Sequence, residues 1–197
     1  VPLRVLSSLT PPDMPLEQEM RSGTLITFEE DAQMEAAVVS GIAFTRDEAK
    51  IMLLGVPDKP GVAYAILGKV ADANIDIDMI VQNQSVDGTT DFSFTVHRND
   101  FQKVVQIMET DIVPAVGARQ MIPDENVAKV SIVGIGMRSH AGIASLMFKT
   151  LADENINIQM ISTSEIKTSV LIQDKYLELA VRALHKAFDL ETKPEAQ

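Results

Sequence analysis

Ala71-Asp72-Ala73-Asn74-Ile75-Asp76-Ile77-Asp78-Met79-Ile80 returns further along the chain as Ala152-Asp153-Glu154-Asn155-Ile156-Asn157-Ile158-Gln159-Met160-Ile161. Upstream, Gly61-Val62-Ala63 lies over Gly142-Ile143-Ala144. Across a short insertion, Ala49-Lys50-Ile51 through Gly55 lies over Ala128-Lys129-Val130 through Gly134. Self-similarity of this length is an internal duplication, so each copy is read as one supersecondary unit.

In the first copy, Ile51 to Val56 is an apolar run ended by Pro57, and Val62, Ile66 and Val70 are spaced for one face of a helix starting near Gly61. Asp58 and Pro60 stand where a capping carboxylate and a fixed φ suit a helix start. Asn74 stops that helix, and Ile75 to Gln82 alternates as a half-buried strand does. Asp87-Gly88 signals a hairpin turn into a strand whose inward face is Phe92, Phe94 and Val96. Asn99 or Asp100 caps a second helix carrying Phe101, Val104, Val105 and Met108, and Gly117 to Ile122 supplies a final strand.

The first copy is therefore a complete βαββαβ unit. The second repeats the order through Ser169 to Ile172 and a helix with Leu177, Ala180, Leu184 and Phe188, but only a polar tail, 191–197, follows Leu190. Its last strand is missing. Ala36 to Phe44, bounded by polar residues, is the unassigned strand, and it is expected to cross over and complete the second unit.

The predicted fold is thus α+β, two ferredoxin-like units in tandem with the first inserted within the second: 45–125 for the first, 30–44 plus 126–190 for the second. Residues 1–29 fit neither copy. Leu3, Val5 and Leu6 suggest a strand, Pro11 to Pro15 a turn, Leu25 to Phe28 another short strand, and Glu29-Glu30-Asp31 a solvated linker.

With 28 acidic against 17 basic residues, the net charge is −11. Such a surface repels phosphate backbones and anionic membranes, so neither nucleic acid nor membrane is an expected partner. An RNA-binding ferredoxin-like sheet would also need exposed stacking aromatics, and aromatics are only 5% here. The absence of cysteine excludes disulfides and thiolate chemistry, and no apolar run reaches the roughly 20 residues of a membrane span. A cytoplasmic protein is expected.

The glycine turn into the first helix and the Asn-Ile-x-Ile strand after it resemble the ACT domain, a ferredoxin-like module that binds amino acids. Gly55-Val56-Pro57-Asp58-Lys59-Pro60-Gly61, Asp78 to Asn83, Gly88 to Phe92, Lys129 to Gly134 and Ile161 to Ile166 are similar to the regulatory region of the aspartate kinase family. Val1 to Ser8 and Gly23 to Thr27 resemble the end of that family's kinase domain. No segment resembles its ATP or aspartate sites, so the chain is not expected to be an enzyme on its own, and any ATP and Mg would belong to the parent kinase. Met34 stands where a separate small regulatory subunit would begin. Val1 precedes it, which favours a fragment of a full-length kinase.

An amino acid carries a carboxylate, an ammonium and a side chain. Backbone N–H groups at the helix start near Gly61, Val62 and Ala63 suit the carboxylate, and Asp58 suits the ammonium. Asp76 and Ile77 are placed to add contacts from the facing strand, with Gln82 and Asn83 to hydrogen-bond a hydroxyl. The resemblance implies the same positions, with threonine or lysine as effector.

One departure concerns Asp76, where the family pattern has asparagine, as Asn157 does in the second copy. It leaves the choice of effector open. The family's sites lie between ACT units of different chains, either two copies of one chain or one copy and a kinase-bearing chain. Ile143, Ala144, Asn157, Ile158, Ser162 and Thr163 are therefore expected to form the opposite wall.

Simpler readings stand beside these. Asp58 serves equally as a helix cap, and Gln82 and Asn83 as ordinary strand-end residues. His140, beside Arg138 and Ser139, reads as a turn residue, and His97 and His185 lack neighbours at metal-ligand spacing. Gly134-Ile135-Gly136 departs from a dinucleotide fingerprint because Ser139 stands where its third glycine belongs. The whole chain is expected to be a feedback sensor, with a structural ACT dimerisation module, or the sensor of another biosynthetic enzyme, as alternatives.

Overall fold

The computed structural model describes the backbone of residues 3–5, 24–26, 38–135, 137 and 142–190. Val1–Ala36 and Ala37–Gln197 are separate compact units. In the first, β1 (Leu3–Val5) and β2 (Thr24–Ile26) pair antiparallel, with Leu3 opposite Ile26. The expected turn at 11–15, linker at 29–31, turn at 138–140 and tail at 191–197 lie outside the described residues.

The second unit is built on six antiparallel strands: β3 (Val38–Pro57), β4 (Ile77–Gln84), β5 (Thr89–His97), β6 (Gln120–Ile135), β7 (Met160–Thr163) and β8 (Lys167–Gln173). Their order is β4-β5-β3-β6-β8-β7. The first half of β3 pairs with the end of β6, Val38 opposite Ile135 and Phe44 opposite Val130. The second half pairs with β5 on one side, Ile51 opposite Phe94, and with the start of β6 on the other, Ile51 opposite Pro123. The strand before the first copy does complete the second.

The expected boundary at Thr45 to Glu48 is absent, because β3 runs through it unbroken. β6 likewise merges the last strand of the first copy, which begins at Gln120 and not Gly117, with the first strand of the second. Bulges explain the continuity. Between the pairs Thr45–Lys129 and Glu48–Val127, β3 carries one extra residue; between Glu48–Val127 and Lys50–Asp124, β6 does. Side chains alternate with period two, so an extra residue in each strand reverses the phase. That keeps Ile42 and Ile51, and likewise Met121 and Val130, on one face.

All described helices pack on that face. Against the first copy lie α1 (Val62–Asp72) and α2 (Phe101–Ile107), the latter continuing through a wider π-type turn into the short α3 (Val113–Val116). Against the second lie α4 (Ile143–Asp153) and α5 (Leu177–Ala187). Ile51, Leu53, Phe92, Phe94, Ile66 and Met108 centre one core; Val130, Ile132, Met147, Leu151, Ile172 and Leu184 centre the other. Each large apolar side chain buried in this way contributes about 1.5–3 kcal/mol.

The opposite face carries its own small cluster of Met79, Val127, Met160 and Leu171. Met79 lies on one edge strand and Met160 on the other, so the sheet curls toward this face. Both methionines fill gaps in buried apolar surroundings, as expected from sequence.

Two caps differ from expectation. Neither Asn99 nor Asp100 caps the second helix; the imidazole Nδ1 of His97 accepts from the Asn99 N–H at 3.2 Å, at the start of a 3₁₀ turn leading into α2. Asp58 does not cap α1, whose N-cap is Gly61 at φ 90° with no side-chain hydrogen bond. Asn74 ends α1 as expected, at φ 57°, and Asn155 does the same for α4 at φ 55°.

Candidate functional site

Strand β3 ends at Pro57, and a short loop carries the chain to Gly61 and α1. No acidic residue sits in the first turn of α1, so its leading N–H groups and the positive end of its dipole lack a carboxylate of their own. They border a cavity of about 410 Å³ lined by Asp58, Lys59, Pro60, Gly61, Val62, Ala63 and Gln82. A Cβ built on Gly61 would meet nothing within 4 Å, so glycine is required here by its backbone angle and leaves the approach to the amides open.

Asp58 is exposed and tethered. Its N–H donates to the Gly88 carbonyl at 3.0 Å, and its carboxylate accepts from Gln84 Nε2 at 2.7 Å. Gln84 lies two residues beyond Gln82 on β4, hence on the same face, and the sequence reading missed it. The period of two that pairs Gln82 with Gln84 was the available signal.

The remaining expected residues separate into groups. The Asn83 carbonyl accepts from Thr90 Oγ1 at 3.1 Å, and its exposed side chain is not among those lining the cavity. Asp76 and Ile77 line a second concavity of about 320 Å³ with Asp47, Glu48, Asp78 and His97. Asp76, just before β4, stands six residue steps from Gln82, roughly 20 Å at about 3.3 Å per residue, more than one amino acid spans.

In the second copy, α4 also starts from a glycine, Gly142 at φ 115°, with no side-chain cap. Ile143 and Ile158 are half-buried against the second core and Ala144 is half-buried. Asn157, Ser162 and Thr163 are exposed.

A charged group lies beside the second concavity. Lys129 Nζ donates to Glu48 Oε1 at 3.1 Å and to Asp78. Burial disfavours the Lys129 ammonium, but the hydrogen bonds and charges of Asp78 and Glu48 outweigh it and raise its pKa. Burial likewise works against the Asp78 carboxylate, and Lys129 more than compensates, so its pKa is lowered. Lys50 donates to Gln159 Oε1, a neutral partner; burial lowers its pKa, opposed only by the charge of Asp124. The recurrence of lysine at one position of both copies, inside apolar strands, was the sequence signal for this group.

ACT-domain family models match residues 50–111 and 130–188. A solved structure of aspartokinase alpha and beta subunits contains a chain 60% identical in sequence, covering 77% of this chain and 99% of that one with a TM-score of 0.72. The chain belongs to the aspartate kinase family.

The ligand-free regulatory subunit of aspartate kinase from Thermus thermophilus is 37% identical, again over 77% and 99% of the two chains, with a TM-score of 0.72. The aspartate kinase of Stutzerimonas stutzeri is 60% identical over 97% of this chain and 44% of its own length. The chain thus spans less than half the length of the curated aspartate kinases it matches. It corresponds to their regulatory region, two tandem ACT domains. Among the described residues no helix is long and apolar enough to cross a membrane.

Proposed function

We propose that this chain is the allosteric sensor of an aspartate kinase. It binds an end-product amino acid, threonine, lysine or both, between ACT units of two chains, and occupancy restrains aspartate phosphorylation. The reading is carried by the start of α1, which no side chain caps and which opens with Gly61 onto the same cavity as Asp58 and Gln82.

The chemistry matches a free α-amino acid. Its carboxylate takes the first-turn N–H groups. Its ammonium takes Asp58, held ready by Gln84, and Gln82 hydrogen-bonds the side chain. Ile143, Ala144, Asn157 and Ile158 of a second chain close the site; Ser162 and Thr163, at the other end of that segment just as Gln82 is from Asp76, support the strand end with Asn83.

Asp76 and Ile77, at the far end of β4, act in this reading on the strand and not on the same ligand. The second chain is another copy or a kinase-bearing chain. Catalysis, with its ATP and Mg, belongs to the kinase portion in a cytoplasmic setting. Inhibition requires tighter binding to the restrained arrangement than to the active one.

Calorimetry with threonine and with lysine tests the proposal. Saturable heat with at least one of them, weakened tenfold or more in Asp58→Ala, is expected. No heat with either, from a chain that still dimerises, would leave only the structural dimerisation module.

A further inference from the structure

Lys50 and Lys129 occupy one position of the repeat, and Asp78 and Gln159 occupy another. The ties between them cross. Lys129, in the second ACT unit, holds Asp78 of the first, while Lys50, in the first, holds Gln159 of the second. Arg98 and Asp174 also correspond, since Phe94 faces Ile51 as Val170 faces Val130, and the two meet at 3.5 Å. The two units are therefore related by a local twofold that passes between Arg98 and Asp174. Met79 and Met160, equivalent residues again, share the cluster beneath the ties.

The position of the ties gives them a consequence. Asp78 adjoins Ile77 on β4, the strand that also carries Gln82. Gln159 adjoins Ile158 and Asn157, the proposed opposite wall. The strand that carries Gln82 and the segment that carries Asn157 and Ile158 are thus each fastened to the body of the other unit by a largely buried lysine, with Lys129 only 13% exposed.

We infer that Lys50 and Lys129 are positioning residues that couple the two amino-acid sites of a dimer. The inference rests on the proposed composite site, in which every chain lends its first-unit wall to one site and its second-unit wall to the other. Ordering β4 around a ligand pulls on Asp78 and so on β6. By the crossed tie, the segment 157–159 of the same chain feels the first site through Lys50. Two sites sharing both chains then bind cooperatively, although neither lysine touches a ligand.

Titration of the full chain with threonine and with lysine tests this by comparing wild type with three variants. Lys50→Met removes the ammonium that ties to Gln159 and fills its space with apolar atoms. Asp78→Asn keeps the shape of a partly exposed residue and weakens the tie to Lys129. Lys69→Met, in the exposed pair with Asp111 on the helix-bearing face, is the control. Wild type and control are expected to show successive binding constants that differ by about fivefold or more. In Lys50→Met and Asp78→Asn the two constants converge, while the total number of sites per dimer is unchanged.

If wild type binds neither amino acid, the sensor reading fails and takes the coupling with it. If wild type binds with equal constants, or both variants keep the wild-type ratio, the coupling alone is overturned and the sensor stands.

Discussion

Arg98 and Asp174 are the same residue position in the two copies of the repeat, and they meet each other. Duplicated βαββαβ units have many ways to sit side by side; here the two share strands and face one another about a line through this pair. Arg98 Nη2 also donates to the carbonyls of Arg46, at 2.8 Å, and Val127, at 3.1 Å. Those carbonyls belong to the stretches where β3 and β6 bulge and pass from one unit to the other. A single guanidinium thereby serves the backbone that the bulges leave out of register.

Removing Arg98 should cost more than removing its charged partner. Arg98→Met strips two strand carbonyls of a charge-assisted donor, worth about 1.5–3 kcal/mol in total. Asp174→Asn loses only a long, one-third-exposed ion pair, worth roughly 0.2–1 kcal/mol after solvent screening. Urea unfolding of the two variants should rank them in that order. Equal losses would mean that the ion pair, and not the carbonyl contacts, holds the crossing.

The charges of this group predict opposite pH responses. Asp78 has a lowered folded pKa, so its contribution is full above about 3.9 and is lost as pH falls through the folded value. Lys129 has a raised one, so its contribution is full below about 10.4 and is lost as pH rises through the folded value above that. Lys50 behaves in reverse. Its lowered folded pKa makes the charged form a cost, relieved as pH climbs from that value toward about 10.4. Lys50→Met should therefore equal or exceed wild type in stability at neutral pH, with the difference shrinking in alkali, as urea midpoints between acid and alkaline pH would record.

The duplication and the borrowed strand were legible because apolar periodicity and repeated motifs report which face each residue buries. Continuity through Thr45 to Glu48 was not. Four polar residues in a row look like a loop, and nothing in the alternation announces that Glu48 is buried and paired with Lys129, which lies far along the chain. The role of Asp58 was half legible. Its position before a helix suits a cap or a ligand, and only the left-handed backbone at Gly61, with Gln84 arriving from β4, removes the cap. The spread of Asp76 and Gln82 along β4 follows from strand rise alone. Its effect on the site became plain once the facing elements were placed.

Because Asp58 caps nothing, Asp58→Asn should leave stability within about 0.5 kcal/mol of wild type, the ordinary range for surface substitutions. Loss of a true helix cap would cost about 1 kcal/mol. Amino-acid affinity should fall at least tenfold in the same variant. A stability loss as large as a cap's would return Asp58 to that role, and thermal melts with and without ligand separate the two.

Gly61 and Gly142 allow the two copies to be compared directly. Both start a helix with positive φ, 90° and 115°, and a Cβ at either would meet nothing within 4 Å. Gly→Ala should therefore cost each position only backbone strain, about 1–3 kcal/mol, by the same mechanism. Their effects on binding should differ. Gly61 lies in the cavity with Asp58, whereas the first repeat's Asp58 has no counterpart before Gly142, so Gly61→Ala should abolish calorimetric heat and Gly142→Ala should weaken it by less than tenfold. Equal loss of binding at equal stability would mean that the two helix starts serve the ligand alike, and that the asymmetry of the repeat does not reach the site.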